Sequence, residues 1–283
     1  MLAAMQPSFA ALVDVALAVC LGGLLLGTFL GDATLKQVLR IGLIALLAGL
    51  FGSVWSATAA MSGAGDVATV WQALPDVLTR TAIGAAANVA CLAWCAIVAA
   101  FVLRRRVASW AKVAWCALAI VCIGRAASGH ANDAGWGSPA IWIHAVHIAA
   151  GGVWAGTVFL AAGLALSWRN WDVMRRQAFA QRISQAATFA LIAVAVSGFF
   201  NGWRMLGDAG ISLHDPYTAL LAAKLACVGL AACLGAYNRW RVMPVLMEKG
   251  AAARFAAVLV VEGAALLVAM LLAAELGTTM PPM

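Results

Sequence analysis

Two histidines three residues apart, His144 and His147, are the side chains of this chain best suited to bind a metal. They stand near the start of a long apolar stretch, where a helix would place both imidazoles on one face. The two rings can share one metal ion, or one can bind it while the other serves a different centre. A simpler interpretation is a polar helix end in an aromatic belt formed by Trp142 and Trp154. We favour the ligand role, because polar groups within membrane spans are expensive and usually functional.

A third histidine, His214, opens a later apolar stretch in the sequence His214-Asp215-Pro216. Asp215 fits a helix N-cap and Pro216 fits the first helical position, which is a sufficient local reason for both residues. His214 is therefore open to either a ligand role or a local one. The fourth histidine, His130, lies in a Gly-rich loop, and we interpret it as a solvated loop residue.

The C-terminal tail adds a second kind of ligand, the thioether sulfur of Met280 and Met283. Imidazole and thioether together suit copper, particularly Cu(I), better than Mg²⁺ or Ca²⁺. Methionine is also a common filler of apolar helices. All seven cysteines fall inside apolar stretches, where cysteine behaves as a small hydrophobe, so we expect no disulfide framework.

These side chains must be positioned by membrane helices. Of the 283 residues, 65% are apolar and 10% charged, whereas a soluble domain carries about 25% charged residues. The mean hydropathy of +0.96 is high, and apolar stretches run along the whole chain. This composition excludes an ordinary soluble protein, a disordered chain and a secreted disulfide scaffold. The predicted fold class is an all-α polytopic membrane helix bundle.

Eight stretches are long and apolar enough to cross a membrane, which takes about 20 residues each. They run near residues 8–30, 38–62, 78–103, 109–128, 139–167, 183–204, 216–238 and 255–277. The first stretch lacks a positively charged segment before it, so we interpret it as a retained helix rather than a signal peptide.

The distribution of Lys and Arg predicts the orientation. Fourteen of the 18 basic residues fall in one set of loops. Short clusters of this kind between apolar stretches mark the cytoplasmic face of a membrane protein and do not indicate a nucleic-acid-binding surface. We therefore expect a bacterial inner-membrane protein with both termini in the periplasm.

A weak internal repeat predicts two four-helix halves, residues 1–138 and 139–283. The sequence Gly22-Gly23-x-x-x-Gly27-Thr28 recurs as Gly151-Gly152-x-x-x-Gly156-Thr157, and Asp76-x-x-Thr79 recurs as Asp215-x-x-Thr218. Four is an even number of crossings, so the halves would form a parallel repeat. Small residues at this spacing also serve close helix packing in membranes without any duplication.

Three charged residues fall within the predicted spans: Asp14, Lys224 and Glu262. The expected depths of Lys224 and Glu262 differ by only about 8 Å, at 1.5 Å per helical residue. We therefore predict an intramembrane ion pair between them, which would hold two helices together or relay protons.

The second half of the chain resembles the copper resistance protein D (CopD) family of bacterial inner-membrane proteins. The similar motifs are His147 with Gly151-Gly152-x-Trp154-x-Gly156, Arg182-Ile183-Ser184, Ser197-Gly198, Pro216-Tyr217-Thr218 through Lys224-Leu225, Asn238-Arg239 with Pro244, and Thr278-Thr279-Met280-Pro281-Pro282. The resemblance covers residues 139–283 closely and the first half only by topology.

The resemblance implies copper transport or copper resistance at the inner membrane, often alongside a periplasmic copper-binding protein of the CopC type. With the residues above, it suggests a periplasmic-side metal site drawn from His144, His147, His214, Met280 and Met283.

Two alternatives stay open. Some relatives look like b-type haem proteins, so a haem b held by His147 and His214 would exchange electrons between copper or a periplasmic donor and quinone. The chain would otherwise serve as a membrane anchor for a periplasmic copper chaperone. A Walker-type phosphate-binding motif is absent from the sequence, so we do not expect an ATPase.

Overall fold

The computed structural model describes residues 2–133, 135–164, 171–207, 213–246, 248 and 250–280. Within this part of the chain it contains nine α-helices and no β-strand. The helices are α1 (Gln6–Leu25), α2 (Asp32–Ser62), α3 (Val67–Arg80), α4 (Ala82–Val102), α5 (Trp110–Ala127), α6 (Pro139–Leu164), α7 (Val173–Leu206), α8 (Pro216–Tyr237) and α9 (Ala251–Leu276). Helix α8 continues through a short π-helical segment, Asn238–Val242.

Eight of the described helices, all except α3, are long and apolar enough to cross a membrane. The prediction of an all-α polytopic bundle with eight spans is confirmed, and the chain is a multi-pass membrane protein. Two spans begin earlier than predicted, because α2 starts at Asp32 and α7 at Val173. The first turns of these helices are polar, so hydropathy alone does not reveal them. In α7 the start is set by Asp172, whose side chain accepts a hydrogen bond from the Arg175 amide at 2.8 Å.

Helix α3 was not predicted. It has 14 residues, too few to cross the membrane, and it buries Val70, Leu74 and Val77 on one face. Asp66 caps its N-terminus by accepting hydrogen bonds from the amide and hydroxyl of Thr69. These bonds hold the pKa of the Asp66 carboxyl below its usual value. The helix is amphipathic and packs on α2 and α4.

The bundle has two distinct faces. Helix α1 begins and α9 ends at the same end of the bundle, where Pro7 and Glu275 line one groove; we term this end the terminal face. The opposite end, where α1 connects to α2 and α6 to α7, we term the basic face. There Phe29, in the turn after α1, packs on Phe179 with ring centroids 5.1 Å apart. Arg175 donates a hydrogen bond to the carbonyl of Phe29 at 3.0 Å.

The core consists of two apolar clusters that meet at α1. One joins α1, α2, α4 and α5 around Leu17, Leu46 and Leu118, and the other joins α6, α7 and α9 around Trp154 and Phe179. Both clusters cross between the halves, since the first includes Ile141 of α6 and the second includes Ala18 of α1.

The helices pair in the same way in both halves. Helix α1 packs on α2 as α6 packs on α7, and α4 packs on α5 as α8 packs on α9. Helices α1 and α6 also pack on each other so closely that a Cβ at Gly22 or Gly156 would overlap the backbone of the other helix. The division into halves at residues 138 and 139 stays a prediction, with which this pairing is compatible.

The two Asp-x-x-Thr sequences of the proposed repeat have different structural settings. Asp215 does cap α8, since its carboxylate accepts hydrogen bonds from the Thr218 amide and hydroxyl. Asp76, however, lies inside α3. The cap of α4 is Thr81, whose hydroxyl accepts from the Gly84 amide at 3.0 Å. The two Asp-x-x-Thr sequences therefore do not occupy equivalent positions.

Candidate metal centre

The two histidines of the predicted site lie on α6 in the half of the bundle nearer the terminal face. Counted from the start of α6 at Pro139, His144 and His147 stand about 8 and 12 Å along the helix, at 1.5 Å per residue. Their ring centroids are 6.2 Å apart and the ring planes differ by 9°. Both side chains are half-buried. The structure thus brings His144 and His147 together, with their imidazole rings nearly parallel.

Helix α7 supplies a polar partner to each ring. The Nδ1 atom of His147 lies 3.1 Å from the hydroxyl of Ser197, and Nδ1 of His144 lies 3.2 Å from the side-chain nitrogen of Asn201. Ser197 and Asn201 are four residues apart and therefore share one face of α7. Both of these contacts use Nδ1, and the ring of His147 is also hydrogen-bonded to the backbone of Val194.

The hydrogen bonds of Ser197 favour one tautomer of His147. The Ser197 hydroxyl donates its one proton to the carbonyl of Ala193, one helical turn earlier. With that proton on Ala193, the Ser197 oxygen is left to accept from Nδ1–H of His147. In this tautomer the lone pair of His147 lies on Nε2, which is the arrangement found in metal-binding histidines.

The ring of His144 is held differently. The side-chain amide of Asn201 donates to Nδ1 of His144, which leaves the proton of that ring on Nε2. The other polar atom of the amide, Oδ1, is buried and has no hydrogen-bond partner in the described part of the chain. Rotation of the amide by 180° would place Oδ1 against Nδ1 and free Nε2, because the two ends of the amide have the same shape.

A buried ion pair lies in the same half of the bundle. Arg125 of α5 forms two parallel hydrogen bonds to Asp14 of α1, at 3.0 Å from Nε and 3.2 Å from Nη2. The side chains are only 21% and 16% exposed. This bidentate pair explains how Asp14 is accommodated within its span.

Two further cations surround the histidines. Arg204, at the end of α7, donates to the carbonyl of His130 at 3.1 Å, while its Nε is buried and has no partner among the described residues. Lys224 of α8 lies within electrostatic range of both His144 and His147. The charges near the imidazoles are mixed, because Asp14, which pairs with Arg125, is also within electrostatic range of Lys224.

The predicted ion pair between Lys224 and Glu262 is wrong. Glu262 is 2% exposed and accepts a hydrogen bond from the indole nitrogen of Trp154 at 2.9 Å. On α8 its carboxylate faces Gly235, which is 11 residues beyond Lys224, or about 16 Å along the helix. A lysine side chain cannot bridge that distance. Lys224 forms no ion pair or hydrogen bond with any described residue.

The remaining predicted ligands do not converge on the pair. His214 is exposed in the turn before α8, and Met280, beyond the end of α9, is 85% exposed. Met283 lies outside the described residues. His130 lies 3.5 Å from Asp133 in its loop. In the part of the chain that the structure describes, no three His, Cys, Asp or Glu side chains form a group that could hold a metal ion.

Sequence reasoning missed the α7 residues that hold the imidazoles. Ser197 was noted only as part of a motif, and Asn201 was not noted. The sequence does show Ser197 and Asn201 four residues apart inside an apolar span, and this pattern indicates a polar helix face. The identity of their partners was not readable, because 50 residues separate Ser197 from His147.

Two protein-family models match this chain, one in each half. Residues 1–139 match the N-terminal domain of copper resistance protein D-like proteins, and residues 177–276 match copper resistance protein D. The chain belongs to the copper resistance protein D family. It is therefore a copper resistance membrane protein. Neither the curated proteins nor the solved structures that were compared gave a match.

The family matches extend the resemblance that the sequence motifs indicated. The first half, which resembled the family only by topology, has its own family match. The CopD match includes Ser197, Asn201 and Lys224. His144 and His147 lie between the two matched segments, so only their geometry supports a ligand role.

Proposed function

We propose that this CopD-family protein transports copper and that His147 is its first copper ligand in the membrane. One observation carries the proposal: Nδ1 of His147 lies 3.1 Å from the Ser197 hydroxyl, a contact that favours the tautomer whose Nε2 is free to bind a metal. His144 is the second ligand, available once the Asn201 amide rotates. Imidazole nitrogen is a good ligand for copper.

The copper substrate reaches the pair from the terminal face. His144 and His147 lie nearer that face, and Met280 and His214 are exposed close to it. We propose that Met280, Met283 and His214 act as capture ligands in front of the two imidazoles. Thioether sulfur favours Cu(I), so Cu(I) is the oxidation state that this set would select.

The terminal face is the periplasmic face in this proposal. The loops of the opposite face hold most of the Arg and Lys residues, and such loops remain in the cytoplasm. The protein would then lie in the bacterial inner membrane with both termini in the periplasm. A periplasmic copper-binding protein of the CopC type is the partner that this orientation allows to deliver copper.

The haem alternative lacks a comparable observation. The two axial ligands of a haem approach the iron from opposite sides, whereas His144 and His147 project from one helix with nearly parallel rings. His214, the other proposed axial ligand, is exposed before α8. We therefore do not propose a haem-dependent or quinone-dependent reaction. The visible spectrum of the purified protein checks this choice directly, since a haem gives a strong Soret band.

The proposal is tested by copper accumulation in cells that express the protein as their only member of the family. We expect His147→Ala to lower accumulation and His130→Ala, a change of a solvated loop histidine, to leave it unchanged. Membrane levels of each variant are compared by immunoblot. Unchanged accumulation by His147→Ala at normal protein level would contradict the proposal and favour the role of a membrane anchor for a copper chaperone.

A further inference from the structure

A polar groove lies on the basic face, far from the histidine pair. It has a volume of about 460 Å³ between the first turns of α7 and the turn that follows α1. Its lining consists of Thr28, Phe29, Ala178, Gln181, Arg182 and Gln185. The lining contains one cation, two amides and one hydroxyl, and it contains no acidic side chain. A groove with this composition offers hydrogen-bond donors to an anion.

The cation of the groove is available for a ligand. Arg182 is exposed and forms no ion pair or hydrogen bond with any described residue. The nearby Arg175 differs, because its guanidinium donates to the Phe29 carbonyl and lies over the ring of Trp171 at 4.3 Å. A planar guanidinium without a partner is well suited to bind a phosphate group through two hydrogen bonds.

The groove lies at the depth of lipid headgroups. Helix α7 has 34 residues and is therefore about 51 Å long, whereas the hydrocarbon core of a bilayer is about 30 Å thick. Counted back from Leu206 near the terminal face, about 20 residues cross the core and end near Ala187. Gln185 and Arg182 come next and so lie where the headgroups begin.

An apolar track continues from the groove into the membrane. Phe189, Ile192 and Val196 follow Gln185 at intervals of four, three and four residues, so they share its face of α7. They are 73%, 56% and 69% exposed. A molecule with an anionic head at Arg182 would have its hydrocarbon chains along this track.

We propose that this groove binds the phosphodiester headgroup of an anionic phospholipid, with Arg182 as the anchoring cation and Gln181, Gln185 and Thr28 as further donors. Free phosphate offers the same acceptor oxygens but cannot use the apolar track. The bound lipid would fix the start of α7 at the membrane surface. This site is independent of copper binding and does not rest on the proposed function.

Native mass spectrometry of the full-length protein tests the site by titration with phosphatidylglycerol in a detergent that retains bound lipid. We expect Arg182→Gln to weaken phosphatidylglycerol binding about fivefold, the effect of one cation near a membrane surface. Arg182→Lys should retain most of the affinity. Arg241→Gln removes an exposed cation outside the groove and should bind like the wild type.

Three results would overturn the proposal. The first is an equal loss of affinity in Arg182→Gln and Arg241→Gln, which would indicate a general charge effect. The second is displacement of the lipid by millimolar inorganic phosphate, which would indicate a site for the free ion. The third is a dimer in which Phe189 and Ile192 cross-link to a second copy, which would assign the track to a protein interface.

Discussion

The imidazole of His147 lies directly against Gly198 of α7, where a Cβ would stand 3.0 Å from the ring carbon Cε1 and 3.4 Å from Nδ1. The absence of a side chain at position 198 therefore lets α7 approach closely enough for Ser197 to reach Nδ1. Gly198 provides the space for the imidazole ring, and Ser197 forms the hydrogen bond to its Nδ1.

Substitution of this glycine should disturb the proposed copper ligand. Because a methyl group at position 198 would press on the ring, we expect Gly198→Ala to weaken copper binding about tenfold, as changes around a metal ligand commonly do. Gly202→Ala is the matched control on the same helix, since a Cβ there meets nothing within 4 Å. Equal copper affinity in the two variants would show that the close contact has no role in binding.

Removal of the Ser197 hydroxyl should affect binding through the proton of His147. In Ser197→Ala the bond that holds Nδ1–H is lost, and we expect copper affinity to fall about tenfold while the amount of folded protein stays normal. Ser197→Thr keeps a hydroxyl and should restore most of the affinity. A threonine variant as weak as the alanine variant would contradict a role for this hydrogen bond.

The buried carboxylate of Glu262 should contribute to stability rather than to an ion pair with Lys224. Glu262→Leu leaves the indole N–H of Trp154 unpaired in the core, which costs about 1–3 kcal/mol. Glu262→Gln keeps an oxygen acceptor and should lose less. Thermal unfolding in detergent measures both, with the exposed Glu275→Gln as a control on the same helix. Equal losses in the two Glu262 variants would show that the negative charge, and not the acceptor oxygen, stabilises the bundle.

The pair of Asp14 and Arg125 should be the most important ion pair for stability among those described. Asp14→Asn leaves a partly buried guanidinium without its counter-charge, and loss of one partner of a buried pair costs about 3–5 kcal/mol. The exposed pair of Asp76 and Arg80, with side chains 71% and 79% exposed, gives the comparison, since such surface pairs contribute about 0–1 kcal/mol. Equal unfolding temperatures for Asp14→Asn and Asp76→Asn would refute this ranking.

The sequence predicted the features that depend on long-range composition. The eight spans follow from apolar stretches of sufficient length, and α6 was expected to place His144 and His147 on one face because three residues make almost one helical turn. Helix α3 is not evident from hydropathy because it is not uniformly apolar. Its apolar residues Val70, Leu74 and Val77 recur at helical spacing between polar ones.

Features that depend on how two helices pack could not be read from the sequence. The pairing of Lys224 with Glu262 was inferred from similar depth, yet the register of α8 against α9 places Gly235 opposite the carboxylate. The bonds from α7 to the histidines have the same origin, since the register of α6 against α7 selects Ser197 and Asn201. Periodicity describes one helix at a time and does not determine such a register.

The affinity of the purified protein for Cu(I), measured by competition with a coloured Cu(I) chelator in detergent, tests the copper site most directly. We expect His147→Ala to weaken binding at least tenfold and His144→Ala to weaken it less, because the bonds of Ser197 favour the His147 tautomer with a free Nε2. His130→Ala should bind Cu(I) like the wild type. A His147→Ala protein that binds Cu(I) with wild-type affinity would contradict the proposed copper site.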